Sequence, residues 1–69
     1  MNLLNRKIRY RDRFYTAEEL QGRLEMELER LKVQLAEVER DRNNSSREVV
    51  ARTYLDMIRQ REELFESLS

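Results

Sequence analysis

Thr16-Ala17-Glu18-Glu19 and Ser45-Ser46-Arg47-Glu48 are two helix-start signals of one design, set 29 residues apart. In each, a hydroxyl stands three residues ahead of a glutamate. The hydroxyl can accept from the backbone N–H of the third helical residue while the carboxylate reaches back to the cap residue's own N–H. Both signals open runs of apolar residues at helical spacing, and Tyr15 and Leu20 sit where a hydrophobic staple flanks the first start. The reading is a helical hairpin over residues 16–69, with a first helix at about 17–42, a polar turn at Asn43-Asn44 and a second helix at about 46–68, preceded by an arm at 1–15.

The apolar spacing within each helix sets the seam. Ala17, Leu24, Leu31 and Val38 recur every seven residues, with Gln21, Leu28 and Leu35 at the alternate positions, which is the 4–3 rhythm of a coiled coil. Val50, Tyr54, Met57, Arg61, Leu64 and Leu68 repeat that rhythm in the second helix. Folding the chain at Asn43-Asn44 sets residue i opposite residue 88 − i. Val38 then faces Val50, Leu31 faces Met57 and Leu24 faces Leu64, and Arg61 falls opposite Glu27 and Leu28. A second stripe on the second helix, Ala51, Leu55, Ile58 and Phe65, is the expected dimer interface. The expected fold is thus all-α: an antiparallel, coiled-coil-like two-helix hairpin that pairs with a second copy into a four-helix bundle.

Composition narrows the function classes. The chain of 69 residues is 39% hydrophobic and 41% charged, with one glycine, no proline, no cysteine and no histidine. A chain this short is a marginal monomer, which favours self-association. Without cysteine or histidine there are no disulfides, thiolate or imidazole metal ligands, or Ser–His and Cys–His nucleophile pairs, so no catalysis and no cofactor is expected. The carboxylates Glu25, Glu27, Glu29, Glu37 and Glu39 lack the Glu-x-x-His partners of di-metal helical proteins. They read instead as surface pairing groups, such as Glu19 to Arg23 and Glu29 to Lys32. The first residues lack the continuous apolar run of a secretory signal and no stretch is long enough to span a membrane, so a cytoplasmic protein is expected.

Charge divides the chain. Residues 1–16 hold five basic groups against Asp12, whereas residues 17–69 hold nine basic and thirteen acidic groups. The zero total therefore hides a basic arm on an acidic body. Arg6, Lys7, Arg9, Tyr10, Arg11 and Arg13 are its candidate binding residues, for nucleic acid or an acidic protein. From Lys7 to Phe14 the arm alternates with the period of a strand, placing Ile8, Tyr10 and Phe14 on one side and the basic residues on the other. Guanidiniums bind phosphate bidentately and tyrosines stack on bases. At helical spacing Leu4, Ile8, Arg11 and Tyr15 make a poorer face, so a membrane surface is the least favoured partner. The plainest alternative is an arm that docks its apolar side on the helices and solvates its basic side.

The first helix carries a further stripe opposite its seam: Gly22, Met26, Glu29, Val33 and Ala36. Gly22, Met26, Val33 and Ala36 are a candidate face for a protein partner, since small residues permit close approach and methionine adapts. A strand followed by two helices resembles the ribbon-helix-helix repressors, whose strands would enter a DNA groove. Here the first helix is about twice that family's usual length and the turn lacks its glycine. Leu31-Lys32-Val33-Gln34-Leu35-Ala36 with Arg47-Glu48-Val49 is similar to the helical-hairpin protein of the large ribosomal subunit, and Arg61-Glu62-Glu63-Leu64-Phe65 to a phycobilisome-degradation adaptor. Neither similarity assigns the chain to a family. The expectation is a small non-catalytic regulator or adaptor acting through a hairpin homodimer on a protein partner, the alternative being a nucleic-acid-binding regulator that uses the arm.

Overall fold

A computed structural model describes residues 6–69. Two short antiparallel strands, β1 (Ile8–Tyr10) and β2 (Arg13–Tyr15), precede two helices, α1 (Ala17–Arg40) and α2 (Arg47–Ser67), which pack against each other. The molecule is thus mostly helical with a small β-ribbon at one end, and Leu4 lies outside the described residues. It measures 55 × 19 × 15 Å, a single layer with one seam. Among the described residues no helix is long and apolar enough to cross a membrane.

The first helix start forms as expected. Thr16 has extended backbone, its hydroxyl accepts from the Glu19 N–H at 3.1 Å, and its own N–H donates to Glu19 Oε1 at 2.8 Å. The Thr16 N–H first, and then the Thr16 side chain, hold the Glu19 carboxyl below its ordinary value, and Lys7 Nζ at 3.7 Å adds to the effect. Glu19 is therefore not the partner of Arg23 that i,i+4 spacing suggested. Lys32 likewise crosses to Glu62 on α2 at 3.5 Å rather than pairing with Glu29.

The second helix start does not form its box. Asp41 Oδ1 accepts from the Asn43 N–H at 3.2 Å and Asn44 Oδ1 from the Ser46 N–H at 2.9 Å, so two consecutive Asx turns occupy the linker. They end α1 at Arg40 and start α2 at Arg47, two residues earlier and one residue later than expected. Ser46 becomes the cap with φ −94° and ψ 9°, outside the extended region that aims a cap hydroxyl into the first turn, and it makes no side-chain cap bond. The delayed start also places Glu48 second in the helix, where the reciprocal bond of a capping box is not made.

Leu20, Leu24, Leu31 and Ile58 form the buried apolar core. Three of these lie on the α1 side of the seam. Ile58, expected in the second stripe of α2, is already covered within one chain. Ala51 and Phe65 are half-buried, and Leu55 alone of that stripe is open, 53% exposed. The two stripes of α2 have largely merged into one wide face turned to α1.

Candidate functional site

The arm is a β-hairpin, and this changes which residues share a face. Ile8 pairs with Tyr15, Arg9 with Phe14 and Tyr10 with Arg13, around a two-residue turn at Arg11-Asp12. Paired positions sum to an odd number, so face parity inverts between the strands: Ile8, Tyr10, Arg13 and Tyr15 share one face, Arg9 and Phe14 the other. A single strand would have kept Phe14 with Ile8 and Tyr10. In the ribbon Phe14 instead joins Arg9 on the outer face, 65% exposed. The turn uses a positive φ of 59° at Arg11, a conformation natural to glycine that costs a non-glycine residue about 1 kcal/mol or more.

The inner face of the ribbon is fastened to both helices through one carboxylate. Glu27 Oε1 accepts from the Tyr10 hydroxyl at 2.7 Å and from Arg61 Nε at 2.8 Å, and Glu27 Oε2 accepts from Arg23 Nε at 2.9 Å. Arg61 also donates to the Met57 carbonyl at 3.1 Å. It is the one buried charged residue among those described, 9% exposed. The Arg61–Glu27 pairing obeys the 88 − i register deduced from the two seams. Burial alone would raise the Glu27 carboxyl. The bonds from Tyr10, Arg61 and Arg23 outweigh it and hold the group below the ordinary carboxylate range. For Tyr10, burial and then the bond to Glu27 push the phenol above its ordinary value. No buried side-chain nitrogen or oxygen among the described residues lacks a partner.

Around this lock lie two neighbouring depressions. One, of about 310 Å³, is lined by Tyr10, Arg11, Asp12, Arg13, Tyr15 and Arg23. The other, of about 180 Å³, is lined by Arg11, Arg23, Glu27, Arg30, Leu31 and Arg61. Arg11 and Arg23 belong to both. Five guanidiniums therefore converge on a surface holding two carboxylates, and one of those, Glu27, already accepts from three internal donors. The Arg11 guanidinium lies 5.6 Å from the centroid of the Tyr10 ring, and the Tyr10 and Tyr15 rings meet edge to face at 6.3 Å.

Of the sequence candidates, Tyr10, Arg11 and Arg13 come together here. Arg6, Lys7 and Arg9 are exposed and line neither depression. Arg9 Nε donates to the Arg11 carbonyl at 3.4 Å, and Lys7 pairs with Glu19. Arg23 and Arg30 escaped the sequence reading because they lie in the acidic body; about two helical turns separate them, and only the docked ribbon shows that they face its tip. The outer stripe of α1 is exposed throughout: Gly22 and Ala36 are open, Met26 is 69% and Val33 55% exposed, and a Cβ at Gly22 would meet nothing within 4 Å. Among the described residues no group of three or more carboxylates is arranged to hold a metal ion. No family model matches the chain, and no curated protein or solved structure matches it either.

Proposed function

We propose that this chain is a small, non-catalytic regulator or adaptor that works by holding a macromolecule, and that its contact surface is the junction between the ribbon and α1. The observation that carries this reading is the convergence of Arg11, Arg13, Arg23, Arg30 and Arg61 on one surface of a chain whose net charge is zero. Arg61 and one nitrogen of Arg23 are spent on Glu27. Arg11, Arg13 and Arg30 have no carboxylate partner among the described residues, and such a surface attracts an anionic partner. A cysteine-free composition suits the reducing cytosol in which we expect the protein to act.

The homodimer belongs to the same proposal. Leu55 is exposed between half-buried Ala51 and Phe65 on α2, and a second copy laid there would complete a four-helix bundle. Sedimentation at micromolar concentration should show a dimer that Leu55→Asp dissociates, because an unpaired charge in an apolar interface is costly. The functional surface is tested by capture from an extract of the native host. The Arg13→Gln/Arg30→Gln chain should lose the partner that the wild type retains. If Val33→Arg loses it and the arginine pair does not, the contact surface is the outer stripe of α1 instead.

A further inference from the structure

We infer that the junction is a site for a single strand of nucleic acid, with its phosphates taken by Arg11, Arg13, Arg23 and Arg30 and a base placed against the Tyr10–Tyr15 wall. This deepens the functional reading above and rests on it. Three features of the surface select this ligand among anions. First, the two depressions share Arg11 and Arg23, so the cationic surface is a track rather than a single pocket, and a polymer with a charge on every repeat uses both at once. Second, the charged groups are guanidiniums, whose planar donor forks match phosphate oxygens. Third, the larger depression has aromatic residues in its wall: Tyr10 and Tyr15 both line it, with the Tyr10 ring held in place by its hydroxyl bond to Glu27. Acidic side chains such as those of polyglutamate would use the guanidiniums but offer no aromatic face to those rings. A base has a π face, and stacking on it is indifferent to sequence.

The Glu27 lock gives this site its rigidity. By bonding Tyr10, Arg23 and Arg61 at once, the carboxylate joins the ribbon to both helices and cancels part of the charge at the bottom of the track. Arg11, Arg13 and Arg30 remain free to meet a ligand. The positive φ at Arg11 fits the same picture, since glycine would make the turn with less strain but would leave out the guanidinium shared by both depressions.

The test uses the full chain and fluorescein-labelled twelve-nucleotide RNA, single-stranded or annealed to its complement, with polyglutamate of matching charge as the acidic competitor. Anisotropy titrations between about 50 and 200 mM salt should show single-strand binding that weakens steeply, and Arg13→Gln/Arg30→Gln should flatten the log–log salt slope by about 1.4, or 0.7 for each phosphate that is no longer neutralised. Tyr15→Leu should weaken the single strand about tenfold, the loss expected for one stacked base. Arg52→Gln, an exposed arginine of α2 outside both depressions, should leave binding unchanged. Thermal melts accompany each variant; the Arg13 and Arg30 side chains make no hydrogen bond or ion pair among the described residues, so their replacement removes no such contact from the fold. Four results would overturn the inference: no binding at the lowest salt, a duplex bound as tightly as the single strand, displacement by polyglutamate as effective as by unlabelled RNA, or a salt slope equal in wild type and the arginine pair. If RNA fails while the arginine pair still loses a protein captured from extract, the assignment to nucleic acid falls and the binding function stands.

Discussion

At the ribbon end of the helical pair, Glu27 gathers donors from β1, α1 and α2. At the loop end, residues 41–46 are all exposed and are held by bonds that reach two to four residues along the chain, with one longer bond from Arg47 to the Glu39 carbonyl at 3.4 Å. Both ends carry the same kind of sequence signal, a hydroxyl three residues ahead of a glutamate, and only the ribbon end realises it. The contrast shows what a local motif needs. At Thr16 the preceding strand delivers extended backbone to the cap, so the hydroxyl is aimed correctly. At Ser46 two Asx turns curl the chain and the cap arrives in the wrong conformation.

The largest expected difference between the ends lies in the Glu27 lock. Glu27→Ala leaves the buried Arg61 guanidinium without its carboxylate, and breaking a buried pair of this kind costs about 3 kcal/mol or more, read as a lowered urea midpoint. In a double-mutant cycle, Glu27→Gln and Arg61→Gln should be strongly non-additive; additive effects would mean that the two groups do not meet.

Acid should act on the ribbon end. The folded Glu27 carboxyl titrates below its unfolded value, so its contribution is fully present above the ordinary carboxylate range near pH 4.5 and is lost as pH falls through the depressed folded value. Tyr10 works in the opposite direction: its raised phenol contributes stability that is complete below about pH 10 and disappears as pH rises through the folded value. Stability measured against pH should therefore fall at both extremes. Glu27→Gln should flatten the acid limb and Tyr10→Phe the alkaline one. A wild-type acid limb unaltered by Glu27→Gln would place the responsible carboxylates elsewhere.

Helix capping supplies a smaller contrast. Thr16→Ala should cost about 1 kcal/mol, whereas Ser46→Ala should stay within about 0.5 kcal/mol because there is no cap bond to lose. Equal losses in thermal melts would show that the Ser46 hydroxyl caps α2 after all. At the small end, Gly22→Ala should stabilise α1 by up to about 1 kcal/mol, since nothing lies near the added carbon. If that gain comes with loss of a partner, the open stripe of Gly22, Met26, Val33 and Ala36 is a docking face that glycine keeps clear.

Much of the architecture was readable because it depends on short-range periodicity. The heptads fixed which faces of the helices meet, and antiparallel geometry then set Arg61 against Glu27, a contact 34 residues apart in the chain. The ribbon was only half readable. Alternation from Lys7 to Phe14 is compatible with one strand or two, because periodicity reports a local dihedral pattern and carries no information on where the chain reverses. The reversal at Arg11-Asp12 has none of the glycine or asparagine that usually announces a hairpin.

What the amino-acid sequence determined by itself is the pair of helices, their register, the first cap and the separation of a basic arm from an acidic body, all consequences of spacing along a regular backbone. What only the tertiary structure decided is which charges act together. Arg23 and Arg30 belong to the acidic body by composition, yet the docked ribbon puts them on one surface with Arg11 and Arg13, while Glu27 turns inward and is consumed. Ile58 changed role for the same reason, leaving the expected dimer stripe for the interior of one chain. Electrostatic neighbourhood and burial depend on distances through space, and those are set when the elements pack, after local preference has shaped each of them.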